Sequence, residues 1–212
     1  MVERHIKRHA PRRGATVDET RSLEHGIEDA VRTILAGYGE DPDREGLRNT
    51  PRRVRRMYAE LLRGYEQDPA ALINGAIFNE PHDEMVIVRD IEYSSLCEHH
   101  LLPFLGHAHV AYIPKGRIIG LSKIPRIVDM YGHRLQLQER LTDQIADFLV
   151  GALQPRGVAV VLDGVHLCSL IRGVRKHDSQ MTTSAMRGCF QEDAQVRAEF
   201  LAHLGRSIPR PF

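Results

Sequence analysis

Tryptophan is absent from this 212-residue chain, and cysteine occurs only three times. Three cysteines cannot make the disulfide framework with which small secreted domains compensate for a small core. Long apolar runs are missing as well. No stretch of about 18 apolar residues occurs, which argues against a transmembrane helix. The basic N-terminal segment lacks the apolar core of a secretory signal. A large charge of either sign is also lacking. The formal net charge is +1, so the chain as a whole is no polyanion binder. These absences predict a cytoplasmic protein with neither nucleic acid nor membrane as partner.

What is present suits one globular domain with a peripheral helical part: 42% of residues are hydrophobic and 27% charged. Charge is uneven at the start, where Arg4, Lys7, Arg8, Arg12 and Arg13 are opposed only by Glu3. Residues 1–16 are therefore expected to form a solvated, disordered basic arm. Residues 17–80 read as an N-terminal helical region and residues 81–212 as the main domain.

Leu23, Ile27, Ala30, Val31, Ile34 and Leu35 recur at helical spacing. Thr50-Pro51 opens a second helix towards Arg63, because proline suits the first helical position. Its polar face carries Arg52, Arg53, Arg55, Arg56 and Arg63. From Met85 the period changes to that of strands, over 85–93 and 107–113. Helices follow over about 123–131 and 137–153, the second with Leu141, Ile145, Phe148, Leu149 and Ala152 on its apolar stripe. The apolar run Val158–Leu162 and residues 181–190 read as strands, and residues 194–204 as a closing helix. This order predicts an α+β fold, with helices packed on one face of an antiparallel sheet.

Two short segments carry metal-type chemistry. Cys97-Glu98-His99-His100 holds two candidate ligands three residues apart, and His166-Leu167-Cys168 holds two more. If 166–168 is strand, His166 and Cys168 face the same side. Thiolate with imidazole is a zinc set. Two arrangements are open. Cys97, His100, His166 and Cys168 together would close a structural site. Cys97, His100 and Cys168 alone would leave one position for water, whose pKa zinc lowers towards ~7. His99 and His166 would then stand beside the metal as proton donors or acceptors. Glu98 either orients a ligand or faces solvent. Cysteines and histidines merely packed in the core are a third possibility.

Ser122-Lys123-Ile124-Pro125-Arg126 opens a helix, and cations one turn apart at a helix N-terminus form a natural anion site. An ordinary capping serine with exposed charges fits the same residues. Arg172 follows Cys168 closely, and Arg53 and Arg56 could add charge from a neighbouring subunit. Several cations near a hydrolytic metal argue for a polyphosphate. Gln138-Glu139 begins a helix, where an acid is favourable in the first turn; its carboxylate could also accept two N–H groups from a guanine edge.

Cys97-Glu98-His99-His100, Gly120-Leu121-Ser122-Lys123, Gln138-Glu139-Arg140-Leu141-Thr142 and His166-Leu167-Cys168 together resemble the GTP cyclohydrolase I family, over about residues 20–205. The resemblance implies a Zn2+ enzyme that converts GTP and water to 7,8-dihydroneopterin triphosphate and formate. It implies the tunnelling fold, with sheets of several subunits joined into a barrel and two pentamers stacked as a homodecamer. It places the metal ligands on Cys97, His100 and Cys168. Proton transfer falls on His99 and His166, and assistance to the sugar rearrangement on Ser122. Guanine is read by Glu139 with Gln138 beside it. The triphosphate falls to Lys123, Arg126 and Arg172, with Arg53 supplied by an adjacent subunit. Arg56 stands at a lysine-type position and Pro125 where asparagine is common. Cys189 belongs to no motif.

Overall fold

The computed structural model describes residues 17–176 and 179–205. The basic arm expected over 1–16 lies outside the described residues. The chain divides into two units, one ending at Glu66 and the other beginning at Gln67.

The first unit holds helices α1 (Val17–Gly37) and α2 (Thr50–Leu61). Pro51 is buried in the first turn of α2. The arginine-rich face of α2 is divided. Arg55 pairs with Glu24 and Glu28 of α1 at 2.9 and 2.8 Å, whereas Arg52, Arg53 and Arg56 are exposed. The helix ends before Arg63, which opens a short 3-10 turn to Tyr65.

The second unit begins with α3 (Pro69–Ile73) and β1 (Ile77–Asn79), both expected with the helical region. Then come β2 (Val86–Cys97), β3 (Pro103–Ile113), β4 (Arg117–Ile119), α4 (Lys123–Gly132), β5 (Leu135–Gln136), α5 (Gln138–Leu153), β6 (Gly157–His166), α6 (Leu167–Leu170), β7 (Met181–Gly188), α7 (Cys189–Glu192) and α8 (Ala194–Leu204). The main sheet runs β5-β2-β3-β6-β7, and β1 pairs with β4 separately. β2–β3, β3–β6 and β6–β7 are antiparallel, while the two-residue β5 lies parallel to β2.

Both long strands extend further than apolar alternation predicts. β2 continues to Cys97 and β3 starts at Pro103. Proline suits the first residue of a strand, because it has no N–H to give the ladder. β7 stops at Gly188, where φ of +59° turns the chain into α7.

α4 and α5 cover one face. Phe104, Ala108, Val110 and Tyr112 of β3 and Val158, Val160 and Leu162 of β6 pack on Ile124, Ile127, Leu141, Ile145 and Leu149. At one end of the other face, Ala111, Ile113, Ala159 and Val161 meet Phe190 of α7 and Phe200 of α8. That second cover explains why Val158–Leu162 is apolar at every position instead of alternating.

Leu149 is fully buried on α5, whereas its neighbour Val150 is exposed. Leu149→Ala should cost about 2–5 kcal/mol in urea denaturation. Val150→Ala should stay within roughly 0.5 kcal/mol of the parent.

Candidate metal centre

Cys97 is the last residue of β2 and starts a tight turn. Its carbonyl accepts from the N–H groups of His100 and Leu101 at 3.4 and 2.9 Å, and its own N–H donates to Leu102 O at 2.9 Å. Closing the turn requires Leu101 to adopt φ of +54°, a conformation uncommon for a residue with a Cβ. β5 pins the turn from the side. Gln136 lies opposite Cys97, and its carbonyl accepts from Glu98 N–H at 3.1 Å.

The second ligand segment forms differently from expectation. His166 ends β6, but Leu167 already begins α6, so Cys168 lies in a helical turn and not on a strand. The alternation argument for 166 and 168 therefore fails, because the two residues do not share strand geometry. The turn still delivers Cys168 to the first segment. The thiols of Cys97 and Cys168 and a ring nitrogen of His100 all lie within 4.8 Å of one another. Tetrahedral ligands about 2.0–2.3 Å from zinc stand roughly 3.5–4 Å apart, so the trio needs little adjustment to grip one ion. Among the described residues, neither His99 nor His166 belongs to this trio.

The electrostatics favour a cation. Burial pushes the Cys168 thiol up, and the adjacent Cys97 sulfur adds to the rise; Arg172 opposes it. A thiol that resists ionising gains from a divalent ion beside it. Arg172 also reaches the trio directly, with Nη1 2.9 Å from His100 Nε2. His99 is exposed, with Nδ1 3.9 Å from Cys97 Sγ.

His166 is half-buried and stacks flat on Phe104, with centroids 4.5 Å apart and planes 2° from parallel. Burial pushes its imidazole down, an effect that the Glu139 carboxylate partly offsets. Glu139 itself is exposed in the first turn of α5. Gln138 is fully buried and bonds within the protein, its Oε1 lying 3.0 Å from His166 Nε2.

Ser122, Lys123 and Arg126 lie together at the start of α4. Ser122 is exposed and its side chain makes no capping bond. Lys123 Nζ donates to Leu72 O at 2.9 Å, and Arg126 is exposed one turn on. Arg53 is exposed on α2 in the first unit.

The sequence left Glu98 undecided and gave Arg140 no role. The two form a bidentate pair, with N–O distances of 2.5 and 3.0 Å. This pair joins the metal turn to the first turn of α5. Its members are far apart in sequence, so no local spacing marks them. Arg140 holds the Glu98 carboxyl below the usual carboxylate range.

Comparison with known proteins identifies the arrangement. The sequence model of the GTP cyclohydrolase I family matches residues 27–205. The chain belongs to that family. A GTP cyclohydrolase 1 from Synechococcus sp. (strain JA-3-3Ab) is 56% identical over 189 residues, covering 89% of this chain and 82% of the relative. One from Chlorobaculum tepidum is 52% identical, covering 89% and 84%. Another, from Deinococcus radiodurans, is 54% identical, covering 84% and 82%. The resemblance read from the four motifs is borne out, and the chain is an enzyme of the GTP cyclohydrolase I family with its tunnelling fold. Among the described residues, no helix is long and apolar enough to cross a membrane.

Two measurements address the geometry. After zinc loading and dialysis, Cys168→Ala and His100→Ala should lose nearly all bound metal by elemental analysis, while His99→Ala retains it. A double-mutant cycle on Glu98→Gln and Arg140→Met should give a coupling of about 0.2–1 kcal/mol, the range for partly exposed ion pairs.

Proposed function

We propose that the chain is a zinc-dependent GTP cyclohydrolase I, which hydrolyses GTP at C8 and rearranges the product to 7,8-dihydroneopterin triphosphate with release of formate. The observation that carries this reading is the convergence of Cys97, His100 and Cys168 within 4.8 Å, with His99 3.9 Å from the Cys97 sulfur and His166 two residues before Cys168. Three protein ligands leave a coordination position for water. A zinc ion held there would supply hydroxide at neutral pH.

C8 of guanine lies between two ring nitrogens and is electron-poor. Water adds to it, and the C8–N bond breaks as the nitrogen takes a proton. A second water then releases C8 as formate. After the ribose opens and rearranges to a ketone, the freed amine closes on it and one water leaves. His99 and His166 move the protons. Exposed on the first turn of α5, Glu139 accepts from the guanine N–H groups. Lys123, Arg126 and Arg172 hold the triphosphate, with Arg53 contributed by an adjacent subunit. Remote phosphate contacts of this kind fix the base over the reacting centre. Ser122 assists the sugar rearrangement.

The same reading gives a cytoplasmic homodecamer of two pentamers, with sheets joined across subunits. It assigns catalysis to residues 81–212, with residues 17–80 as the helical region.

Zinc-replete protein incubated with GTP should produce the pterin absorbance and formate in equal amounts. Absence of both would leave a metalloprotein whose zinc serves only to clamp the fold. His166→Ala should keep its metal while turnover falls roughly 10²–10⁴-fold, the usual contribution of a proton-transfer group. Emptying of the metal site in this variant would instead favour a four-ligand structural centre. Glu139→Ala should raise KM for GTP roughly 10–100-fold, as loss of a charged hydrogen bond does, and weaken the preference over ATP. An unchanged preference would remove Glu139 as the base reader.

A further inference from the structure

Gln138 stands in the motif from which a contact to the base is expected, yet the side chain is fully buried. Its Nε2 lies 3.0 Å from Leu162 O, 2.9 Å from Met181 O and 3.2 Å from Thr183 Oγ1. Main-chain carbonyls only accept, so the end of the amide facing two of them is the NH2. Reversing the amide would set its oxygen against both carbonyls. The oxygen Oε1 therefore faces His166 Nε2, 3.0 Å away. A carbonyl oxygen can only accept, so the imidazole must carry its proton on Nε2. In the neutral ring Nδ1 is then the bare nitrogen, and it has no hydrogen-bond partner among the described residues.

The surroundings hold this arrangement in place. Stacking on Phe104 fixes the plane of the ring. Thr142 Oγ1 donates to the main-chain carbonyl of Gln138 at 2.7 Å and lies 2.6 Å from Thr183 Oγ1, itself a partner of the Gln138 amide. Gly164 is needed for the approach: a Cβ there would come within 2.5 Å of Gln138 Oε1 and 2.7 Å of the Tyr93 hydroxyl. The amide is thus wedged against β6 at the only residue type that leaves it room.

We infer that Gln138 is a positioning residue for His166 and not a contact to substrate: it holds the imidazole in the Nε2–H form and presents Nδ1 as the nitrogen that exchanges protons with the substrate. The catalytic part of this inference rests on the GTP cyclohydrolase reading above. The tautomer itself does not. A neutral amide suits the task, because it directs the ring without placing a fixed charge beside it.

The test uses the full-length, zinc-loaded protein. Gln138→Met keeps the length of the side chain and removes its polar atoms. Its kcat should fall about 10–100-fold, the cost typical of losing the partner that orients a site histidine. Zinc content should be unchanged, and KM for GTP should stay within roughly threefold, since no substrate contact is lost. A raised KM with kcat preserved would overturn the inference in favour of a substrate contact, and parental kinetics would overturn it outright. A second measurement requires no change at Gln138. In 15N-histidine-labelled parent protein, magic-angle-spinning NMR should show the His166 ring protonated on Nε2 and bare on Nδ1, the signal being assigned by its loss in His166→Asn. A proton on Nδ1 with Nε2 bare would overturn the inference. If the parent releases no formate from GTP, the functional reading fails while the tautomer measurement still decides the role of Gln138.

Discussion

The register of three antiparallel strands is the constraint on which the metal centre depends. Ser95 of β2 lies opposite Phe104 of β3, and Phe104 lies opposite His166 of β6. One row across the sheet therefore passes through the ends of both ligand-bearing strands. Both β2 and β6 are antiparallel to β3 and so run the same way, and Cys97 and Cys168 each stand two residues beyond this row at the same end. Adjacent strands are about 4.8 Å apart, so β2 and β6 are separated by about 10 Å, with β3 between them. The Cys97–Leu101 turn and α6 close that gap by leaning over the start of β3. A slip of one residue in either pairing would reverse the facing of the slipped strand and separate the thiols.

Gln138, Glu139 and Arg140 give the start of α5 three tasks in succession. A helix turns about 100° per residue, so consecutive side chains point in different directions. Gln138 points into the sheet and holds His166, Glu139 faces outward, and Arg140 reaches back to Glu98 in the metal turn. A single rigid element thereby links the metal turn, the His166 ring and the exposed carboxylate. Leu141, Ile145 and Leu149 bury the same helix in the core, and the precision of the site draws on that packing.

Much of this was legible in the sequence. The α+β order, the helix near 123–131 and the helix near 137–153 follow from apolar period and breakers. Cys97, His100 and Cys168 stand out because thiols and imidazoles at short spacing are uncommon in an ordinary core. The part that was not legible is long-range. The sequence contains no periodicity that couples Glu98 to Arg140 or Gln138 to His166, since each pair forms only after the sheet and α5 meet. The misread conformation at Cys168 has a local cause. Leu167-Cys168-Ser169-Leu170 is too short to show helical period, and its apolar residues continue smoothly from the strand before it.

Local rules are broken where the site is built. Leu101 takes a left-handed backbone to close the metal turn. The Tyr93 hydroxyl and Gln136 Oε1 are buried with no hydrogen-bond partner among the described residues, although buried polar groups are nearly always satisfied. Gln136 lies opposite Cys97, and the Tyr93 hydroxyl lies against Gly164 beside the Gln138 amide. Each unsatisfied group costs about 1–3 kcal/mol, and the left-handed residue adds about 1–3 kcal/mol. Such costs persist only where surrounding structure over-determines the conformation. Here the surroundings are the fully buried Phe104, Leu141, Leu162 and their neighbours between the sheet and α5. The core that stabilises the fold thus also holds the candidate site's surroundings in a geometry that they would not adopt alone.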